Sequence, residues 1–278
     1  MAESSVPSSA AATPSERVAA VGHRLADWQR RCEAARDRRC VCLLAFQMMY
    51  EELADRLAAE PPTFDDPAWV ADLAEVFAGL LFTAFEGIDA ACAACGEGQP
   101  DFTGVSKPWA DVYGVLTDPR ASVAEDLICA VVAHIGHDLP VALSQVGLAT
   151  GDNSHVDDFH RINEVLASLT DSVQRAIMVR YAPHLLYLDR LARGRDEFVT
   201  DFGMQVSRAI AWYTATRLLD PDSSDETRAA IEAVAERAIT AIRRPKRLRH
   251  RVLSWTTRTV LRGRRRWPPH PAEAGLTA

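Results

Sequence analysis

Long apolar stretches with a helical period are the feature that most constrains how this chain can fold. Over residues 69–95 apolar side chains recur every three or four positions, and the same spacing returns over 15–60, 197–219 and 224–243. This period is that of an amphipathic α-helix. Alternating runs of Val, Ile and Thr are missing, and Gly and Pro separate the periodic segments. The pattern predicts an all-α fold, a single-domain helical bundle of about seven to nine helices.

Residue types at the segment boundaries predict where several helices begin. Pro67 suits the first position of the second long helix, and Ser122 suits an N-cap position. Ser15 is the predicted N-cap of the first helix. A capping arrangement that starts at Ser154 predicts a helix over about 157–180, with a further helix over 181–193.

Charge divides the chain into an acidic body and a basic tail. The net charge is −7, but residues 243–278 hold 11 of the 31 basic residues and one of the 38 acidic ones. Residues 1–242 therefore carry 20 basic and 37 acidic residues, a net charge of −17. A body with this net negative charge would repel the phosphates of a nucleic acid, so it is not expected to bind one. We expect three parts: a disordered leader (1–14), the helical bundle (15–242) and a basic tail (243–278), which is either an amphipathic helix or disordered.

The tail interleaves arginines with Leu and Trp, which is typical of a helix on an anionic surface. We expect residues 243–267 to make peripheral contact with an anionic membrane or an acidic partner. Docking on the acidic body of the same chain is the alternative. The N-terminus lacks a basic segment followed by an apolar one, and no run approaches the roughly 18 uncharged apolar residues of a membrane span. These features predict a cytoplasmic protein.

A polar cluster interrupts the apolar helical segment that follows Ser122. His134, His137 and Asp138 lie at positions i, i+3 and i+4, so a helix places all three on one face. Pro140 cannot donate a backbone hydrogen bond and is expected to kink or end the helix just after the cluster. Three groups able to bind metal or transfer protons inside an apolar element indicate a site.

A second cluster suggests a metal centre shared between two helices. His134 and Asp138 offer one pair of ligands, and Asp157 with His160 offers another, again at helical spacing. Helical bundles build metal centres from such pairs, and a divalent ion of the zinc or iron class would fit. The alternatives are a core histidine bonded within the protein, and helix-capping or solvated side chains at 157–164.

Residues further along the chain could complete a site for an anionic substrate. Arg208 and Trp212 lie one helical turn apart, and Arg208 could reach an inward carboxylate such as Asp138 or Asp189. A buried salt bridge is the alternative role for this arginine. We expect Asn163, Asp189 and Trp212 to contact the substrate. Phosphate-loop, dinucleotide-binding, α/β-hydrolase and HExxH motifs are absent from the sequence.

Three segments resemble an uncharacterised, mainly actinobacterial family of all-helical proteins. They are Ala-His-Ile-Gly-His-Asp-Leu at 133–139, Asp-Phe-His-Arg-Ile-Asn at 158–163 and Arg-Ala-Ile-Ala-Trp at 208–212. The family carries an A-H-I-N-x-D-L-like signature, and Gly136 departs from it where Asn is common. The resemblance covers roughly residues 40–220. It implies a helical domain in which His134, Asp138, Asn163 and Arg208 converge, and it implies no particular reaction.

These observations predict an enzyme that acts on a small or lipid-like metabolite, by hydrolysis or by an acid/base rearrangement. The expected catalytic groups are His134, His137, Asp138 and Arg208, with a divalent metal held by His134, Asp138, Asp157 and His160. One alternative is a metal-free isomerase or cyclase of a hydrophobic metabolite that uses the same residues. Another is a non-enzymatic ligand-binding or scaffold protein tethered by its basic tail.

Overall fold

A computed structural model describes residues 12–148, 153–183 and 197–244, excluding the side chains of 197–205. In these ranges the regular structure is entirely helical, which confirms the predicted all-α bundle. The elements are α1 (Pro14–Ala34), α2 (Cys40–Leu57), α3 (Pro67–Ala94), α4 (Lys107–Leu116), α5 (Val123–Ala133), a π turn (His134–Asp138), α6 (Leu139–Gln145), α7 (Val156–Tyr181), α8 (Glu197–Leu218) and α9 (Ser224–Arg243).

The predicted kink at Pro140 takes a different form in the structure. The helix runs without interruption from α5 through the π turn into α6, where Pro140 occupies a first-turn position. At the end of the π turn the Leu139 N–H bonds to the His134 carbonyl, an i→i+5 pattern. A proline inside a continuous helix lacks one backbone N–H, and the π turn directly before it is the irregularity that accompanies this loss. The helix therefore widens before Pro140 instead of ending after it.

Helix starts follow the predicted residue types in some places and not in others. Ser122 caps α5 in a reciprocal capping box with Glu125, and Pro67 occupies the first turn of α3, both as predicted. Ser15 does not cap α1, because Thr13 takes that position. α7 has no side-chain cap at all, so the cap predicted around Ser154 is wrong.

One continuous apolar core runs through the bundle and positions the polar cluster at its centre. α1 packs along α2, while α6 packs against α8 and the π turn contacts α3. The bulkiest fully buried side chains include Trp109, Phe85 and Phe159. An ion pair between Arg38 and Asp126, whose side chain is fully buried, joins the start of α2 to α5. The π turn is therefore held inside the core and not at its edge.

Two core helices are long and apolar enough, by length and composition, to cross a membrane. They are Pro67–Ala94 and Val123–Gln145, and 56% and 67% of their most apolar windows are buried inside the structure. The prediction from the sequence considered only runs without charged residues. The 18-residue segments of these two helices are allowed up to two charged residues. Core helices of globular proteins have the same composition, so the helices alone do not place the chain in a membrane.

Several predictions fall on residues that the structure does not describe. Asp189 and most of the helix predicted over 181–193 lie outside the described ranges. So do residues 1–11 of the leader and residues 245–278 of the tail. Their predicted roles stay predictions.

Candidate active site at the π turn

The buried carboxylate of Asp138 is the centre of the polar cluster. Its Oδ2 atom lies 2.9 Å from His134 Nδ1 and 2.8 Å from Trp109 Nε1, and its Oδ1 atom lies 2.7 Å from His137 Nδ1. An ionised carboxylate only accepts hydrogen bonds, so both imidazoles donate from Nδ1 and the indole donates as well. Burial raises the pKa of Asp138, but the bonds from His134 and His137 outweigh it and the net pKa is lowered. Asp138 is therefore a satisfied buried anion.

His134 is fixed by packing on one face and by Asp138 at one nitrogen. Its ring stacks on Phe77, with centroids 3.6 Å apart and planes within 4°, and Phe46 lies 4.8 Å away at a tilt. Because Nδ1 donates to Asp138, the lone pair of the neutral ring is on Nε2. That atom is buried and has no hydrogen-bond partner among the described residues. An acceptor left unsatisfied in a core is costly, so His134 Nε2 is a candidate for contact with a ligand.

Burial also sets the protonation state of His134. It lowers the pKa of this histidine, and the hydrogen bond that His134 donates to Asp138, which favours the charged form, does not restore it. The charge on Arg208 lowers the pKa of His134 further. His134 is therefore neutral at pH 7, with a free lone pair on Nε2. A neutral imidazole oriented by a carboxylate is the usual arrangement of a histidine general base.

His134 lines an apolar cavity between α2, α3, α5 and α7. The cavity has a volume of about 80 Å³, and about 720 Å³ when the space that opens to solvent at its mouth is included. Its polar lining residues are His134, Tyr50 and Arg208, and the Tyr50 hydroxyl is already bonded to the Ala74 carbonyl at 2.9 Å. The apolar lining residues are Phe46, Met49, Leu53, Val70, Leu73, Ala74, Phe77, Val131, Ile135, Leu139, Ile162 and Leu166.

Arg208 reaches the same cavity from α8 and is 3% exposed. Its Nε donates to the Asn163 Oδ1 atom, and its guanidinium lies 4.9 Å from the centre of the Phe159 ring. The predicted ion pair with Asp138 is not formed. The contact between Asn163 and Arg208 implied by the resemblance is present, and Arg208 and His134 both line the cavity.

The structure does not assemble the four-residue metal set predicted from the sequence. Asp157 and His160 are exposed on α7, whereas His134 and Asp138 are buried at the π turn. Within the described ranges, no group of three or more His, Cys, Asp or Glu is placed to hold a metal ion. The pairs are separated because residues 157 and 160 occupy the solvent face of α7. His160 contributes only a ring contact with Phe159.

The buried acid of α7 is Asp158, one residue from the predicted ligand. Its carboxylate accepts the backbone N–H groups of Asp65 at 2.8 Å and Asp66 at 2.7 Å, and it pairs with Arg161 at 2.6 Å. Burial raises the pKa of Asp158, but these bonds outweigh it and the net pKa is lowered. Asp158 thereby fastens the loop before α3 to the start of α7, which is a structural role.

The remaining predicted site residues, His137 and Trp212, do not line the cavity. His137 is half-buried, with Nε2 3.9 Å from a Glu232 carboxylate oxygen. Trp212 packs on Phe159, with ring centroids 5.0 Å apart, and is not part of the cavity wall. Sequence reasoning missed Trp109, whose buried indole N–H requires an acceptor.

Fold and site together define an all-α bundle with a buried His–Asp pair beside an apolar cavity. The chain belongs to the family of unknown function DUF5995, whose model matches residues 18–245. This confirms the predicted membership in a family of unknown function, over a longer range than the resemblance indicated. No curated protein matches the chain, and no solved structure does either.

Proposed function

We propose that this protein is an enzyme in which His134 is the general base for a small apolar metabolite bound in the cavity. The observation that carries the proposal is the Nε2 atom of His134, a buried acceptor with no partner among the described residues, on the wall of an apolar cavity. Most buried side-chain nitrogen and oxygen atoms in folded proteins have a hydrogen-bond partner, so an unpaired one on a cavity wall supports contact with a ligand.

The chemistry that fits this geometry is proton transfer at carbon. His134 Nε2 takes a proton from a carbon next to a carbonyl or an unsaturated bond, and the imidazolium that forms keeps its Nδ1–H bond to the Asp138 carboxylate. The imidazolium then returns a proton from Nε2 to carbon: return to another carbon gives isomerisation, and return to the original carbon after Nε2–H has exchanged with solvent gives hydrogen exchange. His137 and Trp109 hold Asp138 in place while the imidazole changes charge.

Hydrogen exchange with solvent tests this proposal without knowledge of the natural substrate. The full chain would be incubated in D₂O with a panel of small apolar carbonyl compounds and unsaturated acids, and deuterium uptake would be followed by mass spectrometry. We expect His134→Gln and Asp138→Asn to reduce exchange by roughly a hundredfold or more, the usual share of a general base. His23→Gln, at an exposed histidine of α1, is the matched control. Exchange that survives His134→Gln would contradict the proposal.

The same preparation tests the metal-dependent version of the proposal. An ion of the zinc or iron class at His134 and Asp138 would compete with three N–H groups for the Asp138 oxygens. Elemental analysis of protein purified without a His-tag would detect a stoichiometric metal. Loss of exchange on chelation would favour the metal-dependent enzyme over the metal-free isomerase or cyclase.

Location and partners remain separate proposals. We propose a cytoplasmic protein whose segment 243–267 contacts an anionic membrane or an acidic partner, because that segment is basic and interleaved with apolar residues. Co-sedimentation with anionic liposomes, with and without residues 243–278, tests this. Equal sedimentation of the two chains would contradict it. Lipid binding without exchange activity on any compound would favour the non-enzymatic, tethered ligand-binding protein.

A further inference from the structure

A second polar group on the cavity wall, the guanidinium of Arg208, lacks an anionic partner among the described residues. Within those residues its one hydrogen bond is from Nε to Asn163. Among the described residues, none accepts a hydrogen bond from its two terminal amino groups, and no carboxylate lies within 4.0 Å. A buried arginine normally has an anionic partner, because the desolvation of a lone charge is expensive.

Burial has a visible effect on this guanidinium. It lowers the pKa of Arg208 to about 10, and only a nearby Tyr50 hydroxyl acts in the opposite direction. Arg208 still carries its charge at pH 7. This cation is 3% exposed and lies over the Phe159 ring, and no anion among the described residues pairs with its two amino groups. The cavity that it lines is the place where an anion would bind.

We propose that Arg208 binds the carboxylate of a small aliphatic acid, whose apolar chain fills the cavity and passes His134 Nε2. The inference rests on the proposed function, because it names the class of substrate for the same cavity. The two terminal amino groups of arginine match the two oxygens of a carboxylate in a bidentate pair. A monoanion fits better than a phosphate dianion, since His134 is neutral and the other walls are apolar.

The size of the cavity limits the length of the acid. Its volume of about 80 Å³ is near half that of a cavity of roughly 150 Å³ that accepts benzene. A short chain fits inside, and a longer one would have to leave through the mouth. Hexanoate, whose chain would occupy the cavity and extend into its mouth, is a suitable probe, with 1-hexanol as a neutral analogue of the same chain length.

Calorimetric titration of the full chain with these two probes tests the inference. We expect hexanoate to bind at least about tenfold more tightly than 1-hexanol, the effect of one charge-assisted pair. Arg208→Met removes the cation and is expected to abolish that difference. Because a buried substitution can impair folding, Asn163→Asp is the second variant. It places a carboxylate beside Arg208 within an unchanged shape, and we expect it to weaken hexanoate binding by about tenfold while 1-hexanol is unaffected.

The outcomes separate this inference from the proposed function. Equal affinities for hexanoate and 1-hexanol, or unchanged hexanoate affinity in both variants, would overturn the inference, and exchange activity that depends on His134 would then still stand. Hexanoate binding that depends on Arg208, without exchange on any compound, would support the anion site and contradict the enzyme. No measurable hexanoate binding would also overturn the inference.

Discussion

Two buried arginines in this protein have opposite surroundings. Arg39, at the start of α2, pairs with Asp37 and Asp89 and also donates to the Phe85 carbonyl at 3.3 Å. Arg208 is buried to a similar degree and has no carboxylate partner among the described residues. Burial lowers the pKa of Arg39, but its acidic partners outweigh burial and raise it, whereas burial lowers the pKa of Arg208 to about 10. A buried cation satisfied inside the chain is structural, and one that is not satisfied indicates a ligand.

Replacing each arginine with methionine is the strongest test of this comparison. Arg39→Met leaves two acids without their cation, and we expect a loss of about 2–3 kcal/mol in the free energy of unfolding. The side chains of Asp37 and Asp89 are 24% and 48% exposed, so water limits the loss. Arg208→Met leaves no described carboxylate unpaired and should change stability by less than about 1 kcal/mol. Urea denaturation at pH 7 measures both, and equal losses would remove the distinction.

The fold was largely predictable from the sequence, and the partners of the site were not. The period of apolar residues placed α3 within two residues of its true bounds at either end. The spacing of apolar residues cannot show that the Trp109 indole N–H donates a hydrogen bond to Asp138, which lies 29 residues later in the chain. It also cannot distinguish Asp157 from Asp158, since adjacent polar residues at the start of a helix look alike although one is exposed and the other buried. Such contacts depend on how distant helices pack.

The π turn shows a second limit of sequence reasoning. Pro140 correctly marked an irregularity, but a proline can be accommodated by a break, a kink or a wider turn. Which of these occurs depends on the packing of His134 on Phe77 and of the Asp138 cluster in the core. The cluster itself was predictable because His134 and Asp138 are one turn apart in either kind of helix.

The pH dependence of stability tests the buried cluster formed by His134 and Asp138. Asp138 has a lowered pKa in the folded state, so its contribution is complete above the ordinary carboxyl pKa and is lost as the pH falls through the folded value. His134 also has a lowered pKa, so below about 6.5 the unfolded chain binds a proton that the folded chain does not. Both effects remove stability on acidification.

We therefore expect the wild-type chain to lose more stability than His134→Gln between pH 7 and pH 5. The difference should develop below about pH 6.5, because there the unfolded chain takes up a proton that the folded chain does not, and it is at most about 1.4 kcal/mol per pH unit. Urea denaturation at several pH values measures the slope, and His23→Gln, at an exposed position, should retain the wild-type slope. Parallel curves for wild type and His134→Gln would mean that His134 is protonated normally in the folded protein.

Two neighbouring acids on α7 test, for carboxylates, the rule that a buried charged group with partners inside the chain is structural. Asp158→Ala removes the acceptor of the Asp65 and Asp66 N–H groups, and we expect a loss of about 1–2 kcal/mol. Asp157→Ala alters an exposed side chain and should change stability by less than about 0.5 kcal/mol. Thermal denaturation of the pair measures the difference. A loss in Asp157→Ala as large as that in Asp158→Ala would contradict the structural role assigned to Asp158.

Supplying Arg208 with a carboxylate would make it resemble Arg39, and this is the smallest expected effect. Asn163→Asp keeps the shape of a side chain that already bonds to Arg208 Nε and adds a negative charge beside it. We expect a gain of about 1 kcal/mol, seen as a rise of about 2–4 °C in Tm, because a lone buried cation acquires a counter-ion. Gln99→Glu adds the same charge in an exposed loop and should leave Tm unchanged. A fall in Tm for Asn163→Asp would mean that Arg208 already has an anionic partner inside the chain, and the difference between the two arginines would then disappear.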